Sequence, residues 1–177
     1  YNEIQYVAPG QTSKFGTPAG DRTSLPPRHA RAQDPAVSPD GRHIVYCRNQ
    51  AGTRTLHIAD LDPSGSNTGT AITNIRALAP GDRFDQAFTP RWSPDGTHVA
   101  FSIWKKGGYR DIRYVDVASG AYRDLAVDRA VDQTPAFSPD GRYVLFNSDR
   151  TGIANIYAYE LATGRLKQVT NVINGAY

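Results

Sequence analysis

Three aspartates, Asp40, Asp95 and Asp140, stand in identical Ser-Pro-Asp-Gly tetrapeptides of the 177-residue sequence. A repeated carboxylate either takes part in catalysis or ligand binding, or belongs to a repeated structural turn. Proline sets φ at about −65° for the second position of a type I turn, serine suits the first position, and glycine suits the fourth and tolerates positive φ. Because a catalytic motif is normally needed once, the three copies predict three hairpin turns in which the aspartate accepts backbone hydrogen bonds.

A second group of carboxylates resembles a metal-binding loop. Residues 60–65 read Asp-Leu-Asp-Pro-Ser-Gly, the opening of a calcium loop. The twelfth position is Ala71, where such a loop needs a bidentate glutamate, and Pro63 interrupts the pattern. No cysteine and histidine cluster has the spacing of a zinc site. We therefore expect neither a metal nor a cofactor.

Nucleophiles and general bases are dispersed along the sequence. The four histidines, His29, His43, His57 and His98, lie far apart. Neither a Gly-x-Ser-x-Gly elbow nor a glycine-rich phosphate loop occurs. Cys47, the single cysteine, falls in a strand-like run and is expected to be a buried small residue. We expect no catalytic residues and no enzymatic activity in this protein.

The composition favours a turn-rich β protein. Hydrophobic residues make up 39% of the sequence and charged residues 21%, with 16 glycines and 12 prolines. No apolar run approaches the roughly 18–20 residues that a membrane helix needs, so we expect no direct membrane insertion. The net charge of +3 is scattered, and one short loop alone combines basic and aromatic residues, so no nucleic-acid partner is expected.

The repeated turns imply a repeated unit around them. Their serines are 55 and 45 residues apart, close to the period of about 40–50 residues that β-propeller blades have. Each copy predicts four short strands, which is one antiparallel blade. The predicted strands are PAVS, RHIVYC, LHIADL and NIRALA in the first copy, PRWS, THVAFS, IRYVDV and YRDLAV in the second, and PAFS, RYVLFN, IYAYEL and LKQVTN in the third.

The second strand of each copy is apolar on both faces, which predicts that the blades stack on one another. One face carries Ile44 and Tyr46, Val99 and Phe101, and Val144 and Phe146, and the opposite face carries Val45, Ala100 and Leu145.

These motifs resemble a known family. The pattern Pro-x-aromatic-Ser-Pro-Asp-Gly-x-x-apolar-x-Phe, with NSDRTGIANIYAYEL after its third copy, resembles the WD-repeat-like blades of the TolB family. Similar blades occur in the propellers of tricorn-type and prolyl oligopeptidase-type peptidases. The resemblance covers about residues 32–170 and implies an all-β propeller in the bacterial cell envelope or periplasm. It does not by itself imply one function.

The repeats divide the sequence. We expect residues 1–33 to form an N-terminal strand with a Pro/Gly-rich loop or insertion, 34–80, 81–126 and 127–171 to form three blades, and 172–177 to lead into a further blade. Closed rings have about four to eight blades. We therefore expect a sector of a larger ring, six-bladed by the resemblance, that packs against the rest of its polypeptide, a cleaved partner chain or a second copy.

Variable loops on a rigid frame are the usual place for recognition. We expect the loops between second and third strands, and those between blades, to lie on the disc face opposite the Ser-Pro-Asp-Gly turns. Trp104, Lys105, Lys106, Tyr109, Arg110, Asp149 and Arg150 are the predicted interaction residues, and Asp85, Gln86, Asp132 and Gln133 are predicted to lie near the channel mouth. Trp104 either contributes to this surface or folds back on its own loop.

Three functional hypotheses follow. The first is a non-catalytic propeller scaffold that binds protein through its variable-loop face or channel. The alternative is the substrate-gating propeller of a larger serine peptidase, whose catalytic domain lies outside these residues. The third is a propeller that binds a small ligand or an ion.

Overall fold

Every regular element that the computed structural model describes is a β-strand. It describes residues 5–6, 23–24, 31–61 and 72–175. Twelve of the strands form three four-stranded antiparallel blades. Blade 1 contains β3 (Arg31–Val37), β4 (His43–Gln50), β5 (Thr53–Leu61) and β6 (Ile72–Ala79), blade 2 contains β7 (Gln86–Trp92), β8 (His98–Trp104), β9 (Arg110–Asp116) and β10 (Tyr122–Leu125), and blade 3 contains β11 (Gln133–Phe137), β12 (Tyr143–Ser148), β13 (Asn155–Glu160) and β14 (Leu166–Gln168).

The two remaining strands lie near the N-terminus. β1 (Gln5–Tyr6) pairs antiparallel with β2 (Thr23–Ser24). The sequence predicts a strand at the first position and an extended loop at the second, so the β2 pairing is an addition to that expectation. The calcium-like segment falls largely on residues 62–71, outside the described residues. In the described part of the protein, no helix has the length and apolar character to cross a membrane.

The Ser-Pro-Asp-Gly segments are hairpin turns, as predicted. In the second copy, the Gly96 N–H donates to the Ser93 carbonyl at 2.9 Å, which closes the turn. Ser93 Oγ donates to Asp95 Oδ1 at 2.5 Å and accepts from the His98 N–H at 2.9 Å. Asp95 Oδ1 also accepts from the Thr97 N–H at 3.0 Å. Gly96 has a φ of +71°, the conformation that favours glycine here.

Apolar side chains bury both faces of blade 2, which confirms the predicted stacking of blades. The interface of blades 1 and 2 contains Val45, Cys47, Leu56 and Ile58 of blade 1 and Val99, Phe101, Ile103 and Val115 of blade 2. The interface of blades 2 and 3 contains Ala100, Ile112, Val144, Phe146 and Tyr157. Cys47 is fully buried as predicted, and burial raises the pKa of its thiol to about 12.

The face of blade 3 that points away from blade 2 is incompletely covered. The residues on this face are Leu145, Asn147, Ile156 and Ala158, and all four are partly exposed. Their equivalents in blade 1, aligned through the turns and the strand registers, are Val45, Cys47, Leu56 and Ile58, each no more than 3% exposed. The same positions are therefore an interface in one blade and an open surface in another.

Candidate functional site

The hairpins between second and third strands meet the segments that connect one blade to the next. The Arg54 N–H at the start of β5 donates to the Asp85 carbonyl at 2.8 Å, and the Asp132 N–H donates to the Arg110 carbonyl at 2.7 Å. The Val131 N–H donates to Asp149 Oδ1 at 2.7 Å. These contacts gather the hairpins and the connections on one side of the blades, which we call the loop face.

Three predicted interaction residues are exposed on the loop face. Trp104, at the end of β8, is 47% exposed, and Tyr109, in the hairpin that follows, is 44% exposed. Lys106, between them, is also exposed. A Lys105 N–H bond to the Tyr109 carbonyl at 3.2 Å holds the hairpin that presents these residues.

Lys105 is engaged in ion pairs within its own blade. Its Nζ lies 2.6 Å from Asp111 Oδ2 and 2.9 Å from Asp124 Oδ2. Asp124 also accepts from Arg113 Nε at 2.7 Å. Burial lowers the pKa of Lys105, but the hydrogen bonds to Asp111 and Asp124 outweigh this effect and raise it overall. Lys105 therefore braces β9 and β10 to the hairpin.

Arg150 is likewise engaged, in the blade 3 hairpin. Its Nη2 lies 3.0 Å from both carboxylate oxygens of Asp132, its Nη1 lies 3.2 Å from Asp128 Oδ2, and its Nε donates to Ser148 Oγ at 2.8 Å. Asp132 is fully buried. Burial raises the pKa of Asp132 to about 6, although Ser148 and Arg150 both favour its ionised form.

Asp85 and Gln86 order the connection between blades 1 and 2. Asp85 is 3% exposed, and its Oδ2 accepts from the Asp82 N–H at 3.0 Å. Gln86 Nε2 donates to the Gly52 carbonyl at 2.6 Å and to the Phe84 carbonyl at 3.0 Å. Both residues stabilise the loops around them.

Arg110 and Gln133 lie together on the loop face, where blade 2 meets the first strand of blade 3. Arg110 Nη1 donates to Gln133 Oε1 at 3.2 Å, and Arg110 Nε donates to Ser102 Oγ at 2.6 Å. The Arg110 guanidinium also stacks on Phe88, 4.3 Å from the ring centroid. Burial lowers the pKa of Arg110, and the nearby charge of Arg54 lowers it further.

Sequence reasoning missed Arg54 and Phe88 at this position. Arg54 lies 4.4 Å from the Phe88 ring centroid, so two guanidinium groups contact one ring. A comparison of the repeats contains the signal for Arg54. Leu56 pairs with Cys47 as Ile112 pairs with Ser102, so Arg54 and Arg110 each lie two residues before equivalent positions in their blades.

Within residues 31–61 and 72–175, no group of three or more histidine, cysteine, aspartate or glutamate residues is arranged to hold a metal ion.

Known proteins show the same architecture. The family model of the TolB beta propeller domain matches residues 34–177. The Tol-Pal system protein TolB of Francisella tularensis subsp. holarctica (strain OSU18) is 33% identical over 87 residues, which cover 46% of this chain and 19% of that protein. The chain thus spans about a fifth of the length of the curated relatives it matches.

Solved structures agree in fold. The putative TolB from Agrobacterium tumefaciens matches with a TM-score of 0.73 and 22% identity, over 90% of this chain and 53% of that one. TolB from Acinetobacter baumannii has a TM-score of 0.62 and 24% identity, over 88% and 36% of the two chains. A puromycin hydrolase has a TM-score of 0.71 and 18% identity, over 91% and 26%. Because the family model covers most of the sequence, including all three turns, the chain belongs to the TolB beta-propeller domain family.

Proposed function

We propose that this chain is a non-catalytic, protein-binding sector of a β-propeller in the bacterial cell envelope. Its binding surface is the loop face. The observation that supports this proposal is the pair of exposed aromatic residues, Trp104 and Tyr109, on a hairpin whose base is held by internal ion pairs. Tryptophan and tyrosine are enriched at binding hot spots, and a rigid frame reduces the entropy lost on binding.

The residues of the loop face divide into two roles. Trp104, Lys106 and Tyr109 are available for contact, whereas Lys105 and Arg150 hold the hairpins in place. Asp149 combines the two, because it is exposed while its Oδ1 accepts from the Val131 N–H. We expect changes at the second group to act through the shape of the loops.

We further propose that more protein covers the open face of blade 3. Leu145, Ile156 and Ala158 are partly exposed, whereas their equivalents in blade 1 are buried against the next blade. A further blade of the same polypeptide or of a partner chain is the occupant that the repeat favours. The proposed envelope setting rests on the similarity of this chain to the Tol-Pal system protein TolB.

Site-specific photo-crosslinking tests the loop face. A photo-reactive phenylalanine analogue replaces Trp104 or Tyr109 in the intact protein in its native host. Tyr122, which is 49% exposed on β10, is the matched control position. We expect a discrete protein adduct from positions 104 and 109 and none from 122. Adducts from position 122 alone would remove the loop face from consideration.

The second candidate function is the gating propeller of a serine peptidase. The similarity in fold to the puromycin hydrolase favours considering it. An active-site-directed fluorophosphonate separates the two candidates, because it labels an activated serine nucleophile. We expect the intact protein to remain unlabelled. Stoichiometric labelling would replace the scaffold proposal with the peptidase one.

A further inference from the structure

Two arginines connect successive blades on the loop face. Arg54 stands at the start of β5 and Arg110 at the start of β9, at equivalent positions of blades 1 and 2. Each guanidinium contacts the first strand of the next blade, Arg54 at Phe88 of β7 and Arg110 at Gln133 of β11. Blade 3 has Ala154 at the equivalent position, so it does not repeat this arginine.

The two positive charges have few negative neighbours. Within the described residues, neither Arg54 nor Arg110 has a carboxylate oxygen within the 4.0 Å of an ion pair, unlike Arg113 and Arg150. Asp34 is close enough to favour the charged form of Arg110, and its Oδ2 also accepts from the Thr89 N–H at 3.1 Å. It is one carboxylate beside two guanidinium groups. The pair thus has more positive than negative charge around it.

Neutral groups orient the two guanidinium groups. With the Gln33 amide oriented so that its oxygen faces Arg54, that oxygen accepts from Arg54 Nη2 at 2.8 Å, from Nη1 at 2.5 Å and from Nε at 3.2 Å. Gln133 and Ser102 accept from Arg110, and Phe88 lies between the two arginines. Amide, hydroxyl and ring groups hold an arginine in place without cancelling its charge.

Stacking on Phe88 does not offset the unfavourable electrostatic energy of the two guanidinium groups. Two like charges that share one ring in a half-buried place repel each other, and burial deprives both of water. A bound anion would remove both costs, because a guanidinium carries five donors in a fork that matches a carboxylate. Arg110 directs only two of its donors to partners among the described residues.

We propose that Arg54 and Arg110, oriented by Gln33, Phe88 and Gln133, bind a carboxylate group of a peptide ligand. This inference rests on the proposed function, because it names the chemistry of the ligand that the loop face would take. The carboxylate comes either from acidic residues of the peptide or from its free C-terminus, and the two sources share the same chemistry.

Direct titration with short peptides tests the site without the native partner. The probes are N-acetylated hexaglutamate with an amidated C-terminus, N-acetylated hexaglycine with a free C-terminus, amidated hexaglutamine, and inorganic phosphate. Calorimetry with the intact protein measures each dissociation constant. We expect saturable binding of at least one carboxylate probe, and which one binds identifies the source. Equal binding of hexaglutamine or of phosphate would overturn the assignment.

Variants locate the binding. We expect Arg54→Gln and Arg110→Gln each to weaken the carboxylate probe tenfold or more, while Arg54→Lys keeps part of the affinity because it keeps the charge. Arg91→Gln is the matched control, because Arg91 is exposed on β7, the strand that also carries Phe88. Thermal unfolding of every variant checks that it is folded. If Arg110→Gln does not fold, the test is made with Arg54→Gln by itself. Undiminished probe binding by the folded variants would overturn the proposal.

The two proposals fail in different ways. Crosslinks at positions 104 and 109, together with probe binding that neither arginine substitution weakens, would support the protein-binding face and rule out the carboxylate site. Arginine-dependent probe binding without crosslinks at those positions would keep the carboxylate site and remove Trp104 and Tyr109 from the binding surface.

Discussion

The serine of each Ser-Pro-Asp-Gly turn links three parts of the turn. In the second copy its hydroxyl donates to Asp95 and accepts from the His98 N–H, at the first residue of β8. Ser93 is 5% exposed, so a lost bond there is not replaced fully by water. The same hydroxyl stabilises the ionised aspartate, because its hydrogen bond is the main reason that the pKa of Asp95 is lowered.

We expect Ser93→Ala to lower the free energy of unfolding by about 1–2 kcal/mol, because the His98 N–H loses its acceptor in a largely buried place. Urea unfolding of the intact protein measures the change. Thr163→Ala, which removes exposed hydrogen bonds to Glu160 and from the Arg165 N–H, is the control and should change stability by less than about 0.5 kcal/mol. Equal effects of the two substitutions would contradict a structural task for the serine.

At the scale of the elements, the first strand of each of the three blades contains the same irregularity. Asp34, Thr89 and Thr134 have φ values of +55°, +47° and +52°. Each is followed by proline, and the register of each strand shifts there. A left-handed backbone is uncommon for residues other than glycine and costs about 1–3 kcal/mol. This irregularity, a β-bulge, interrupts the pairing of each first strand at the same place.

We expect Thr134→Gly to raise the free energy of unfolding by about 0.5–1 kcal/mol, because glycine adopts positive φ without steric cost. Thr134 is exposed, so its replacement removes little packing. The control is Thr163→Gly, at an exposed position outside the positive-φ set, which should destabilise instead. A loss of stability in Thr134→Gly equal to the control would show that the bulge stores no strain.

The pair of Asp132 and Arg150 adds a pH dependence to blade 3. Burial raises the folded-state pKa of Asp132 to about 6, above its ordinary value of 3.8. The folded protein then holds the proton more tightly than the unfolded state does. The contribution of Asp132 to the free energy of unfolding is therefore largest at low pH and is lost as the pH rises from about 4 to about 6.

Unfolding of the wild type and of Asp132→Asn across this pH range tests the effect. We expect the wild-type free energy of unfolding minus that of the variant to fall by up to about 3 kcal/mol between about pH 4 and 6.5, and to stay constant above. Asp140→Asn is the control, because the Ser138 hydroxyl lowers the pKa of Asp140 and the difference should rise with pH below about 4. A flat difference for Asp132 would contradict the burial effect.

At the scale of the whole molecule, the contrast between equivalent faces predicts what covers blade 3. Ile112 of blade 2 is completely buried, and Ile156 occupies the same position on the partly exposed face of blade 3. An aspartate at a buried position loses both hydration and packing. The cost of a charge at Ile156 therefore reports whether more protein packs there.

We expect Ile156→Asp in the intact protein to destabilise by about 3 kcal/mol or more, comparable with Ile112→Asp. Val169→Asp is the exposed control, because Val169 is 53% exposed and should tolerate the charge. Chemical unfolding gives all three values. If Ile156→Asp matched Val169→Asp, the open face of blade 3 would be a free surface rather than an interface with a further blade.

Local features of the protein were predictable from the sequence by itself. The turns, the four strands per repeat and the two-sided apolar pattern depend on residues within a few positions of one another. Type I turn chemistry and the alternation of a strand are short-range properties, so three similar segments predict three similar blades. The burial of Cys47 followed from the same alternation.

Only the tertiary structure decided which charged residues are free to bind. Lys105 lies in the same variable hairpin as Tyr109, and Arg150 lies in the equivalent hairpin of blade 3. Yet Arg150 pairs with Asp132 and Lys105 with Asp124, which are 18 and 19 residues away. Arg54 meets Phe88 of the next blade, a contact that no local pattern contains. Ion pairs and stacking between blades depend on which strands the fold brings side by side. These interactions act over a few ångströms in space, whatever the separation in sequence.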